Sequence, residues 1–221
     1  MSDTAISPKE KERSLRLSLW KGACGTCTTG FTQEYFTPFL LYLGAQASHV
    51  GILNALNNLF SSLIQLFSAE ILQRFRSRKT MVMVFVSLQA AALALIALLA
   101  WRGAMSYWFL IILAVLFMSF GAVFIPAWLS FLSDLVAEKR RGDYFGWRSR
   151  TLGMMSLGAM VASGMVLHFT EDVNPAAGFV AIFTIAFLSR LSSLIFLRRM
   201  TEPPLQYKKE DSFTFWQFFR R

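Results

Sequence analysis

Apolar residues run along this chain in six blocks of roughly twenty, and short polar gaps separate them. The blocks lie at 22–44, 50–71, 80–101, 107–132, 151–169 and 177–197. Each is close to the ~20 residues that an α-helix needs to cross a hydrocarbon core. The gap Ser68-Ala69-Glu70-Ile71-Leu72-Gln73-Arg74-Phe75-Arg76-Ser77-Arg78-Lys79 sets the scheme, because it joins two such blocks through a tight basic turn. The pattern therefore predicts an all-α membrane protein with six transmembrane helices. Residues 1–20 form an N-terminal tail with a weakly amphipathic stretch through Leu15, Leu17, Leu19 and Trp20, suited to the inner leaflet. Residues 21–197 form the bundle, and residues 198–221 form a closing tail.

Composition agrees with a lipid environment. Apolar residues make up 55% and charged residues 16%, against roughly 45–50% and ~25% in soluble domains. The net charge of +9 sits in the gaps between blocks, which fits anionic lipid headgroups and argues against nucleic acid as a partner. Basic residues from Lys9 to Lys21, Arg74 to Lys79, Lys139 to Arg150 and Arg198 to Arg221 share one side, against Arg102 alone on the other. That bias predicts both termini in the cytoplasm and insertion in the cytoplasmic membrane. Trp101, Tyr107 and Trp108 would form the aromatic belt on the far side. The first block is too long for the apolar core of a signal peptide and has no clear cleavage site, so it is expected to remain in the mature protein.

Polar positions within the blocks suggest which helices face water. Asn54, Asn58, Ser61, Gln65 and Ser68 recur at steps of three and four on one face of the second span. Thr26, Thr29, Gln33 and Thr37 do the same in the first. The fourth and fifth spans carry Ser119, Ser130 and Ser133, and Ser156 and Ser163. The third has little besides Ser87 and Gln89 and is expected to face lipid. Helix–helix hydrogen bonding uses the same residue types as a cavity wall, so both readings stand for the second span.

Charged residues at membrane depth are the candidates for chemistry. Glu34 lies about twelve residues into its span, roughly 18 Å at 1.5 Å per residue, where a carboxylate is costly and functional by default. Desolvation opposes its charged form, so a proton could load and leave there, as a proton-coupled carrier needs; pairing inside the bundle is the structural alternative. Arg190 lies eight residues before Arg198 and would snorkel, pair with an acid such as Glu34, or hold an anionic substrate. Cys24-Gly25-Thr26-Cys27 has C-x-x-C spacing but no further cysteine or nearby histidine, so neither metal nor cofactor is implied. No Ser–His or paired-Asp set lies at membrane depth, so an enzyme is not expected. Gly153, Gly158 and Gly164, with Ala159 and Ser163, would permit close helix approach, and Pro126 should kink the fourth span.

The chain resembles the N-terminal half of a major facilitator superfamily transporter over essentially its whole length. The family's loop between spans two and three reads G-x-L-x-D-R-x-G-R-R/K. Here Arg74, Arg78 and Lys79 fit its basic positions, while Ala69, Gln73 and Arg76 replace the first glycine, the acid and the second glycine. The segment Asp134 to Gly146 looks like the loop between spans four and five, and Arg190 to Pro204 like span six and the central linker. Phe117 stands where the drug/proton antiporter branch has an arginine, and span five lacks that branch's Gly-Pro pair. The resemblance implies a 3+3 inverted-repeat bundle and a conformational latch of Arg74, Arg78 and Lys79, with Arg74 or Arg78 paired to Asp134. It implies solute transport by alternating access, with Glu34, Gln33, Asn54, Asn58, Gln65 and Arg190 as candidate coupling or substrate residues. It further implies a small-molecule substrate and a second six-helix half, as a separate chain or by homodimerisation, since the family has twelve spans. Phe213 to Arg221 resembles the approach to span seven. A truncated, non-transporting protein that keeps the fold is the alternative.

Overall fold

The computed structural model describes residues 7–75 and 77–203. Its elements are α1 (Pro8–Thr32), α2 (Phe36–Tyr42), α3 (Ala47–Leu66), α4 (Ser68–Phe75), α5 (Arg78–Trp101), α6 (Tyr107–Leu135), α7 (Arg141–Thr170) and α8 (Pro175–Arg198), with a 3-10 turn at Glu138–Arg140. No strand occurs among the described residues.

Local chemistry sets the helix ends. Ser7 and Glu10 form a reciprocal capping box with Pro8 in the first turn of α1. Ser77, Ser106 and Asn174 accept backbone N–H groups at the starts of α5, α6 and α8. Gly44 and Gly103 follow the ends of α2 and α5 with φ of 85° and 63°, the left-handed conformation that glycine adopts without steric cost.

The helices differ from the predicted blocks in three places. The first span is divided at Gln33–Tyr35, where Pro38 has no N–H to give the Glu34 carbonyl and its ring crowds that oxygen. The second bends by 52° at Phe67. The expected join at 133–150 shrinks, because α7 begins at Arg141 and runs as helix through the mixed stretch 141–150 before its apolar part. Similarly, the polar N-terminus continues into the first span, so residue 21 lies inside one unbroken helix. By length and apolarity, α5, α6, α7 and α8 can each cross a membrane, and the bent pair α3–α4 makes a fifth such element among the described residues. The remaining expected span is shared between α1 and α2.

Helix α8 packs along α1 and α5, α5 also along α6, α1 along α7, and α3 along α6. Two apolar cores result. One gathers Phe36, Phe39, Leu93, Ile96, Leu110 and Phe183. The other gathers Met81, Val86, Val123, Phe131, Leu132 and Leu197. Between them each central helix contributes a buried polar side chain: Gln89 from α5, Ser119 from α6 and Arg190 from α8. The third span thus has two faces. Val84, Leu88, Leu95 and Leu98 point outward, as expected for lipid, while Gln89 is buried inside.

Candidate functional site

The polar layer opens into a cavity of about 440 Å³, the size of a small-molecule site. Helix α1 supplies Lys21, Thr26, Thr29 and Gln33; α3 supplies Asn57, Ser61 and Gln65; α5 supplies Gln89; α7 supplies Arg148; and α8 supplies Arg190. Phe117, Gly121, Ala122 and Ile125 of α6 complete the wall. Pro126 lies within α6 and has no N–H, so the Ala122 carbonyl lacks its helical donor.

Hydrogen bonds fix several of these groups. Arg190 donates to the Gln89 side-chain oxygen, and Gln89 Nε2 donates to the Phe117 carbonyl at 2.7 Å. This chain ties α8, α5 and α6 together. Ser61 donates to Asn57 at 3.3 Å, one turn away on α3. The α1 threonines donate back to their own helix, Thr26 to the Gly22 carbonyl at 3.1 Å and Thr29 to the Thr26 carbonyl at 2.9 Å, so their hydroxyl oxygens remain as acceptors.

Of the coupling or substrate candidates, Gln33, Gln65 and Arg190 line this cavity, with Thr26, Thr29 and Ser61 of the polar stripes beside them. Asn54 and Asn58 are exposed on α3 and lie outside its lining. Glu34 is exposed at the break between α1 and α2, also outside the lining. Its neighbour Tyr35 donates from its hydroxyl to the Met160 carbonyl of α7 at 2.5 Å. The lining also holds Lys21, Asn57 and Arg148, which are not among those candidates, and Gln89, which the lipid-facing expectation for the third span had set aside. Lys21 and Arg148 had been counted as charges of the membrane surface, whereas Asn57 shares the i, i+4, i+8 face of Ser61 and Gln65 and was legible.

At one end of the bundle a second polar cluster joins distant segments. Arg78 is buried and pairs with Asp134, Nη1 to Oδ2 at 2.6 Å. The same nitrogen donates to Ser130 at 2.9 Å, and Nη2 to the Pro203 carbonyl at 3.3 Å. Thus Arg78 makes the pair that either arginine was expected to make, and Arg74 is exposed on α4. Lys79 donates to the carbonyls of Arg198 and Met200 at 2.9 and 2.5 Å, a cation at the end of α8 where the helix dipole favours it. Glu202 accepts from Ser77 Oγ at 2.6 Å and from the Arg78 N–H at 2.7 Å, an anion at the start of α5. Thr201 N–H donates to Ser14 at 3.2 Å. These contacts place the starts of α1 and α5 and the ends of α6 and α8 at one end.

The family model described as Major Facilitator Superfamily matches residues 22–221, nearly the whole chain. The chain belongs to the major facilitator superfamily. Searches among curated proteins and solved structures found no match. Membership makes this an integral membrane protein of a transporter family, and the apolar helices α5–α8 suit that environment. Within the superfamily fold the Arg78–Asp134 pair joins the loop after α4 to the foot of α6, and the cavity lies between the two cores. The segment Phe213–Arg221 lies outside the described residues.

Proposed function

We propose that the chain is the N-terminal half of a secondary carrier that moves a small solute across the cytoplasmic membrane by alternating access. The observation that carries this reading is the polar cavity held between two apolar cores. A bundle that only needed to pack would fill that layer with apolar side chains, since buried polar groups cost free energy unless they are satisfied. Six spans form the half, with α1–α2 and α3–α4 as the first two.

A second helical half completes the path, whether it comes from the same chain or another. Supporting this, Leu59, Phe60 and Leu63 on α3 are uncovered on the helix that carries the exposed Asn54 and Asn58, and Met154, Leu157 and Val161 on α7 are uncovered as well. A mixed polar and apolar face of this kind suits another protein surface better than lipid tails. Arg78, Lys79 and Asp134 act as a latch at the cytoplasmic end, and Arg74 supports it from the surface. Glu34 carries the coupling proton from its position at the break between α1 and α2.

Uptake into proteoliposomes, screened with labelled sugars, amino acids and organic anions, tests the carrier reading. A saturable uptake that Gln65→Ala and Gln33→Ala reduce at least fivefold is the expected result. Protein that folds in lipid yet accumulates no solute class, alone or with added second-half helices, would instead favour a non-transporting membrane protein. Coupling is tested separately, since Glu34→Gln should abolish uptake driven by an inward proton gradient. Unchanged gradient-driven uptake removes Glu34 from the mechanism.

A further inference from the structure

The cavity wall carries three cations and no carboxylate. Lys21, Arg148 and Arg190 all line it, and none of the lining residues is Asp or Glu. The ion pairs among the described residues, Arg16–Glu12, Arg78–Asp134 and His168–Glu171, do not involve them. Lys21 and Arg190 are buried, at 5% exposure each. Buried cations are ordinarily paired with acids, because desolvating an unpaired charge is costly.

Aromatic faces hold Lys21 and Arg190 instead. The Lys21 ammonium lies 3.7 Å from the centre of the Trp128 ring and 5.5 Å from that of Phe124. The Arg190 guanidinium lies 5.8 Å from Phe117 and 6.0 Å from Phe124. Such contacts favour a positive charge but leave its N–H donors free for another acceptor. Accordingly, the Nε atoms of Arg148 and Arg190 are buried with no hydrogen-bond partner.

The backbone leaves room for the Arg148 guanidinium. Gly22 and Gly25 lie one turn apart on α1, and a methyl group at Gly22 would fall 2.7 Å from Arg148 Nη2. One at Gly25 would fall 3.6 Å from Arg190 Nη1. Arg148 therefore lies against bare helix backbone at Gly22, while the Gly25–Arg190 approach is an ordinary contact. Gln89 holds Arg190 from the other side, because its amide nitrogen is committed to Phe117 and its oxygen must face the guanidinium.

We propose that the cavity binds an anionic group, the phosphate or carboxylate of a small solute or lipid headgroup, through Lys21, Arg148 and Arg190. Three donor-bearing cations that converge without a counter-ion match such a group in charge and in hydrogen-bond geometry. Gln33, Asn57 and Gln65 would meet the polar remainder of the ligand. Transport of that ligand rests on the carrier reading above; its binding does not.

The full chain in zwitterionic lipid nanodiscs is titrated with inorganic phosphate and citrate, and with glucose as the neutral control, at constant ionic strength. Calorimetry reads the affinity, and Trp128 emission reports on the Lys21 side. Saturable binding of at least one anion is expected, weakened at least tenfold by Arg190→Gln and by Lys21→Met. The surface variant Arg198→Gln should bind within twofold of wild type, and Arg190→Gln and Lys21→Met should keep the wild-type melting temperature within a few degrees, which separates a lost site from a lost fold. Competition by phosphatidylglycerol in the discs would support the site and assign it to a lipid headgroup; indifference to that lipid would support a free solute. Absence of anion binding, or anion binding that Arg190→Gln and Lys21→Met leave unchanged, overturns the proposal. Binding without uptake would remove the carrier reading and leave the site, whereas uptake of neutral solutes without anion binding would do the reverse.

Discussion

Arg78 is the residue whose surroundings are most completely specified. Its guanidinium is buried while the Asp134 side chain is 43% exposed, so the pair falls between an exposed one worth ~1 kcal/mol or less and a buried one whose breakage costs ~3–5 kcal/mol. Asp134→Asn leaves the buried charge without its counter-ion and should cost about 2–3 kcal/mol. Arg78→Met removes that charge and should cost less. A thermal melt in detergent, followed by a dye that reacts with Cys24 and Cys27 as they become exposed, measures both; equal losses would mean that the charge is not what matters. Gly30 offers a second test. A methyl group there would lie 2.7 Å from the Ser156 carbonyl oxygen and 2.7 Å from Ala159 Cβ, so Gly30→Ala must push α7 from α1 and should cost ~1–3 kcal/mol. Gly153→Ala meets nothing within 4 Å and should melt at or above wild type, because alanine is the better helix former. Of the small residues expected to let α7 approach, Ala159 and Ser163 meet Gly30 of α1, whereas Gly153 and Gly158 face open space. Small residues announce that helices can approach, and not which side of the pair supplies the gap.

Elements were legible where periodicity and end signals act locally. The apolar blocks located the cores of α3 and α5–α8, and Ser77, Ser106 and Asn174 in the gaps cap the starts of α5, α6 and α8. Polarity misled at the flanks, since a helix can continue out of the apolar region, as α1 and α7 do, without any hydropathic sign. The break at Gln33–Tyr35 did have a local sign in Pro38, which blocks the hydrogen bond to residue 34. Glu202 had none, because the helix it caps starts 124 positions away in sequence from its own place. Replacing it tests how much of the α5 start depends on that distant anion. Glu202→Ala strips acceptors from Ser77 Oγ and from the Arg78 and Lys79 N–H groups, and should cost about 1–2 kcal/mol, the scale of a lost helix cap. Ser77→Ala acts on the same helix end, so the double variant should lose less than the sum of the singles. Strict additivity in the melts would show that the two groups do not work as one cap.

At the scale of the whole molecule, the basic gaps and the helix packing are independent statements about the same object. Charge bias uses residue counts alone, whereas the polar cluster around Arg78 uses distances, and they agree on what shares an end. Lys79 touches the end of α8, Arg141 Nε donates to the Ser133 carbonyl at 3.1 Å at the end of α6, and Ser18 of α1 bonds the Tyr144 hydroxyl at 2.9 Å. At the other end His49 lies against Tyr107 and Trp108, with ring centres 4.8 and 5.2 Å apart, and Arg102 and Gly103 in the turn before α6 are exposed. Alternation of apolar runs could give the up-and-down order of these helices, but not that α8 would lie centrally between α1 and α5, since several arrangements of six apolar rods satisfy the same pattern. The contacts do not say which end faces the cytoplasm; the excess of lysine and arginine predicts that it is the end of Arg78, because such residues resist translocation. Alkaline phosphatase fused after residue 103 or 172 should therefore be active, and fused after residue 77 or 140 inactive, with a cytoplasmic fluorescent reporter giving the opposite pattern. Activity after both 103 and 140 would break the hairpin α6–α7 and with it the shared end. Activity after 77 and 140 alone would keep every contact and invert the protein in the membrane, placing Lys21 and Arg148 at the outer mouth of the cavity instead of the inner one.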